Sequence, residues 1–193
     1  MKKFTLCLLT AIMGVGLSAS AQIQKGNVLV GGNLAGLNLG LSGSKVFRFN
    51  LEPKAAWFIE DNIALGGYAK FGLETAKNVA TKTNYGVGAL GRYYTGKDTE
   101  LLKHGRLFGE ATIGFGGQNV GKGGASTNGL DFSFGPGFAY FITPNIGLET
   151  LLKYNGTAGF GNTGYQNNLS LSFGFQIYLP GQRTINKVKG DVK

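Results

Sequence analysis

From Phe47 to Ile59 the chain reads by twos. Phe47, Phe49, Leu51, Pro53, Ala55, Trp57 and Ile59 fall on one face, and Arg48, Asn50, Glu52, Lys54 and Ala56 on the other. Period two marks a strand with two unlike faces. The pattern recurs down the chain. Leu65, Ala69 and Phe71 oppose Tyr68, Lys70 and Glu74; Val87 and Ala89 oppose Gly88 and Arg92; Ala111 and Ile113 oppose Glu110 and Thr112. Further on, Phe132 and Phe134 oppose Asp131 and Ser133, Leu148 and Leu152 oppose Glu149 and Lys153, and Leu171, Phe173 and Phe175 oppose Ser170, Ser172 and Gln176. Gly-rich Val28–Leu41 can supply one more strand. The pattern predicts about eight strands of roughly 10–13 residues, longer than the roughly 5–6 of ordinary strands and close to the 9–11 of a tilted membrane-spanning strand. A secreted soluble barrel would turn its bulky residues inward. Here the bulky face is continuous, and the charged face is rich in glycine. The expected fold is all-β: an eight-stranded antiparallel up-and-down transmembrane β-barrel, apolar outside and polar in a narrow lumen.

Two stretches repeat one phrase. AWFIEDNIALGG runs from Ala56 to Gly67, and AYFITPNIGLET from Ala139 to Thr150. Glu60-Asp61-Asn62 and Thr143-Pro144-Asn145 are built of turn-forming residues. Outer-membrane barrels have short periplasmic turns and longer outer loops, so both phrases are expected at the periplasmic rim. An aromatic pair precedes each turn, Trp57-Phe58 and Tyr140-Phe141. Tyr93-Tyr94 precedes the Thr95–Gly105 connection, and Tyr178 ends the last strand. These seven residues predict an interfacial aromatic girdle. Phe47, Phe71, Tyr85, Phe115, Phe132 and Tyr154, at the opposite strand ends, predict a second.

The N-terminus carries an address. Lys2 and Lys3 precede an apolar stretch, Phe4–Leu17, and Ala19-Ser20-Ala21 is a small-residue cleavage pattern. Residues 1–21 read as a secretory signal peptide. That leaves residues 22–179 as the barrel and 180–193 as a basic periplasmic tail. The chain's single cysteine, Cys7, lies in the leader, so no disulfide is expected in the mature protein. The full chain has 34 glycines in 193 residues, against an average usage of about 7%. Each interior glycine costs a helix about 1 kcal/mol relative to alanine, which again favours strands.

The chain resembles the outer-membrane protein beta-barrel domain family, the small eight-stranded barrels of Gram-negative envelopes. The resemblance spans Gly26–Leu179. It rests on the leader, the Phe-Ile-x-x-Asn-Ile turn phrase and the Arg92-Tyr93-Tyr94 strand end. It implies an integral protein of the cell outer membrane. Many such barrels end at a terminal aromatic residue, and this chain departs from them by continuing through Pro180–Lys193.

Candidate chemistry is sparse. The only histidine, His104, sits in the expected periplasmic connection GKDTELLKHGR. Ser170 and Ser172 face the expected lumen with no base nearby in sequence. No His/Cys/Asp cluster has metal-ligand spacing. GQNVGKGGAS, Gly117–Ser126, lacks the spacing of a phosphate-binding loop. No catalytic residue, cofactor or metal is therefore expected. The lumen charges balance five against five: Arg48, Lys54, Lys70, Arg92 and Lys153 against Glu52, Glu74, Glu110, Asp131 and Glu149. They predict an ion-pair network that includes Arg92–Glu110 and Arg48–Glu74, because buried charges are costly unless paired. The net charge of +9 lies elsewhere. Lys45, Lys77, Lys82 and Lys122 are placed in outer loops, and Arg183, Lys187, Lys189 and Lys193 in the tail. The expected partners are outer-membrane lipids, lipopolysaccharide beside the basic loops, and the barrel-assembly machinery during insertion. No nucleic acid is expected, and the barrel is expected to be a monomer. The leading function is a structural envelope protein with a largely side-chain-filled lumen. The alternatives are a narrow porin-like channel for ions or small solutes, and recognition of a surface ligand by the outer loops.

Overall fold

The computed structural model describes residues 23–39, 46–76, 79–96, 104–121, 126–160 and 165–181. The expected leader, Lys45, Lys77, Lys122 and residues 182–193 of the expected tail lie outside the described residues. Eight strands follow in chain order: β1 (Val28–Leu39), β2 (Val46–Glu60), β3 (Ile63–Ala76), β4 (Val79–Tyr94), β5 (Gly105–Val120), β6 (Thr127–Thr143), β7 (Ile146–Gly159) and β8 (Tyr165–Leu179). Each pairs antiparallel with the next. β1 also pairs with β8, from Val28↔Leu179 to Ala35↔Ser172, which closes the barrel. Closure leaves no strand edge, so every strand has two ladder partners.

The strands run from 12 to 17 residues, longer than the alternation suggests. They absorb a residue placed in an outer loop by the alternation: Lys82 belongs to β4, opposite Glu74 and Val120. Polar and glycine residues at a strand end carry no alternation signal, although the ladder continues through them.

The repeated phrase folds twice in the same way. In both copies the ladder slips just before the turn, between Phe58 and Glu60 and between Phe141 and Thr143. The Asn62 carbonyl accepts from the Tyr94 N–H at 2.8 Å, and the Asn145 carbonyl accepts from the Tyr178 N–H at 2.8 Å. The Phe58 N–H donates to the Asn27 carbonyl, and the Phe141 N–H to the His104 carbonyl, each at 2.9 Å. The barrel is thus two four-strand halves, each bringing one Phe and one Tyr to the same rim. Asn62 has φ +67°, a left-handed conformation that asparagine tolerates at a tight turn. The terminal segments join this turn end. The Asn62 N–H donates to the Ile23 carbonyl at 2.9 Å, and the Gly181 N–H to Asn27 Oδ1 at 2.9 Å.

Exposure divides the side chains as the alternation predicts. Val87, Ile113, Phe115, Phe134, Leu169, Leu171 and Phe173 all stand on the outside with more than half of their surface uncovered. Inside, Glu52, Lys54, Arg92, Glu110, Asp131, Glu149 and Lys153 are buried.

Candidate functional site: a layered lumen

The lumen is not uniform along its axis. Its turn end is aromatic. Phe58, Tyr94, Phe141 and Tyr178 point inward and are almost completely buried, joined by Phe108. Ring centroids lie 5.0 Å apart for Phe141–Tyr178, 5.4 Å for Tyr94–Phe108 and 5.9 Å for Phe58–Tyr94. This corrects the expected girdle. Neighbours on a strand point to opposite faces, so an aromatic pair cannot put both rings in one girdle. Trp57, Tyr93 and Tyr140 take the outer position and are exposed, whereas Phe58, Tyr94, Phe141 and Tyr178 form a plug. Phe108 fits because its cross-strand partner is Gly137. A Cβ there would come within 2.3 Å of the Phe108 ring.

Above the plug the lumen is ionic. Arg92 on β4 is its hub. Its Nε donates to Glu110 Oε2 at 3.0 Å and its Nη1 to Glu149 Oε1 at 2.7 Å. Nη1 also donates to the Tyr94 hydroxyl at 2.8 Å, and the guanidinium lies 4.2 Å from the centroid of the Phe108 ring. Lys54 Nζ donates to both Glu110 oxygens, at 2.8 and 2.9 Å. Lys153 Nζ donates to both Glu52 oxygens, at 2.6 and 2.8 Å. Lys54 lies 3.3 Å from Glu52 and Lys153 lies 3.8 Å from Glu110, which joins the two groups into one cluster. The Tyr178 hydroxyl donates to Glu149 Oε1 at 2.9 Å and lies 2.8 Å from the Tyr94 hydroxyl. The plug is therefore hydrogen-bonded to the ionic layer. Three cations meet three anions, and the side chains of Lys54, Arg92, Glu110 and Glu149 have no exposed surface.

The remaining expected lumen residues separate from this cluster. Lys70 pairs with Asp131 at 2.5 Å, partly exposed, as an independent bridge from β3 to β6. It spans the glycines of β4 and β5, where a Cβ on Gly86 or Gly116 would lie 3.3 Å from Asp131 Oδ2. Arg48 and Glu74 are register partners on β2 and β3. The Arg48 side chain lies outside the described residues. Of the expected second girdle, Phe71, Tyr85 and Phe115 are exposed, Phe132 and Tyr154 are half-buried, and the Phe47 side chain is not among the described residues. Phe132 is covered because it lies over Gly156, its cross-strand partner.

Toward the loop end the lumen opens into a polar cavity of about 360 Å³. Glu52, Lys153, Lys70 and Asp131 line it, with Asn50, Asn84, Gln118, Asn155, Thr157 and Ser170. The Asn155 amide donates to Asn168 Oδ1 at 2.9 Å and to Ser170 Oγ at 2.8 Å.

Some lumen residues escaped the sequence reading. Arg106 is 1% exposed and donates to the Gly96 carbonyl at 3.2 Å. The alternation that places Phe108 and Glu110 inside also places Arg106 inside, so its signal was present. Leu29, Leu90 and Leu151 are apolar residues buried in the lumen. Their type points outward and only their parity points inward. His104 is exposed, and its ring lies 6.3 Å edge-on to Tyr140. Ser172 Oγ donates to the Leu151 carbonyl at 3.3 Å, and Ser170 accepts from Asn155. Among the described residues no three His, Cys, Asp or Glu side chains gather as metal ligands.

No family model and no curated relative matches the chain. Solved structures do. Neisserial surface protein A is similar at 18% identity with a TM-score of 0.54, over 78% of this chain and 95% of that one. The N-terminal β-barrel domain of Pseudomonas aeruginosa OprF is similar at 14% identity with a TM-score of 0.53, over 80% and 98%. The outer membrane protein OprG of the same organism is similar at 10% identity with a TM-score of 0.50, over 81% and 97%. The chain has the fold of the small eight-stranded outer-membrane barrels.

Proposed function

We propose that the protein is an integral outer-membrane barrel with a structural role in the envelope, its lumen closed at mid-depth. The observation that carries this reading is the ion-pair cluster. Arg92, Lys54, Glu110 and Glu149 are wholly covered, neutral as a group, and bonded to the aromatic plug beneath them. Eight strands leave an interior just wide enough for side chains to fill, and here large ones fill it. The exposed apolar belt supports burial in lipid, since an exterior of this breadth has no other favourable solvent. In this reading residues 1–21 direct export, the assembly machinery inserts the barrel, and residues 180–193 lie in the periplasm. The basic outer segments lie beside lipopolysaccharide, and the barrel acts as a monomer without enzymatic activity.

Conductance tests the reading. The purified, refolded protein in a planar bilayer should show no stable open conductance. A stable open state in the unmodified protein would replace the structural barrel with a narrow pore.

A further inference from the structure

We infer that the loop-end cavity of the lumen is a binding site for a neutral sugar of one or two rings. Its volume of about 360 Å³ falls within the roughly 300–1,000 Å³ of small-molecule sites. The walls are chiefly neutral hydrogen-bonding groups: the amides of Asn50, Asn84, Gln118 and Asn155 and the hydroxyls of Thr157 and Ser170. An amide offers donors and acceptors side by side, and a hydroxyl offers both on one atom. Vicinal sugar hydroxyls require that mixture.

The charges at the cavity argue against an ionic ligand. Lys70 is held by Asp131 and Lys153 by Glu52. Glu74 and Lys82 face one another in register. Among the described lining residues three cations, Lys70, Lys82 and Lys153, meet three anions, Glu52, Glu74 and Asp131, so neither sign is in excess. Among the described lining residues only Leu51 and Tyr85 are bulky, too few to wall an acyl chain. A glycine lowers one wall: at Gly116 a Cβ would lie 3.3 Å from Asp131 Oδ2. Asn155, Asn168 and Ser170 are already bonded to one another. Such a row is ordered before a ligand arrives, which removes part of the entropic cost of binding. The site does not depend on whether the layer beneath it conducts.

A neutral sugar has two sources here, a free saccharide or the glycan of a surface lipopolysaccharide. The test separates them. The refolded mature protein, in micelles of a phosphocholine detergent that carries no sugar, is titrated with glucose, with maltose and with neutral outer-core oligosaccharide released from lipopolysaccharide. Side-chain amide resonances of Asn and Gln are followed by NMR. Saturable shifts at the cavity amides are expected from at least one ligand. Response to glucose or maltose identifies a free saccharide, and response to the oligosaccharide alone identifies the glycan. The double variant Asn84→Leu with Gln118→Leu, cross-strand partners on one wall, should weaken the response tenfold or more. If that variant does not refold, Thr157→Val should weaken binding several-fold. The site is overturned if none of the three ligands saturates by about 50 mM, weaker than the millimolar range of weak specific binding. It is also overturned by shifts confined to amides outside the cavity, or by unchanged affinity in a folded variant.

Discussion

The two ends of the lumen are built on one scaffold and filled in opposite ways. At the turn end Phe58, Tyr94, Phe108, Phe141 and Tyr178 pack ring against ring, with the Arg92 guanidinium over the Phe108 ring. At the loop end asparagine, glutamine, serine and threonine line open space. The strands, pairing and alternation are the same at both ends. What differs is side-chain volume on the inward positions: aromatic in one, amide or glycine in the other. A barrel backbone sets how wide the lumen can be, and the inward residues decide whether it is open. The ionic layer lies at the boundary, with Arg92 bonded down to Tyr94 and Glu52 lining the cavity above.

That contrast can be broken at its boundary first. Glu110 accepts from Arg92 and from Lys54 with no exposed surface. Glu110→Ala removes the carboxylate that two buried cations share, leaving Arg92 with Glu149 and Lys54 with Glu52, and losing one partner of a buried pair costs about 3–5 kcal/mol. A urea refolding titration should show a loss of this size. A loss below about 1 kcal/mol, the value of an exposed pair, would mean that water fills the layer and that the two ends are continuous. On the outside, Phe173→Arg places a cation on the lipid face of β8 and should cost about 2–4 kcal/mol if it lies near mid-depth. Equal cost for Ser172→Thr, its inward neighbour, would put the register off by one residue.

Smaller effects sharpen the contrast. Tyr178→Phe keeps the ring and removes the hydroxyl that donates to Glu149. A buried carboxylate short of one donor should cost about 1–3 kcal/mol, read in the same titration. Lys70→Met at the open end removes a partly exposed partner of Asp131 and should cost about 0–1 kcal/mol. If Lys70→Met costs more than Tyr178→Phe, the dry end of the lumen has been assigned to the wrong side.

Much of this was legible from the alternation, which carries the strand count, the outward face and the inward parity of Glu52, Lys54, Lys70, Arg92, Glu110, Asp131, Glu149 and Lys153, but not that of Lys82. Arg92–Glu110 follows from two inward residues at one height on adjacent strands. The connections Lys54–Glu110, Lys153–Glu52 and Arg92–Glu149 were not legible, because they cross the lumen between strands far apart in sequence. Such contacts depend on barrel diameter and on how far each side chain bends. The plug was hidden for another reason. Aromatic residues at strand ends suggest a membrane interface by type, and in Trp57-Phe58, Tyr93-Tyr94 and Tyr140-Phe141 type and parity conflict for one member of each pair. Parity prevails because the pleat is covalent geometry, whereas a preference for the interface is worth little by comparison. The polar cavity left no pattern in the sequence at all, being defined by what glycines and short amides fail to fill.

The division of the lumen can be measured directly with thiol labelling, since Cys7, in the predicted leader, is the chain's only cysteine. Ser170→Cys places a thiol on the cavity wall, and Ala56→Cys places one where the native side chain has no exposed surface. The folded proteins in micelles are treated with a small, charged, water-soluble thiol reagent that reaches both mouths of the barrel. A lumen sealed by plug and ionic layer predicts rapid labelling of the Ser170→Cys protein and none of the Ala56→Cys protein until denaturant is added. Labelling of both at comparable rates would contradict it.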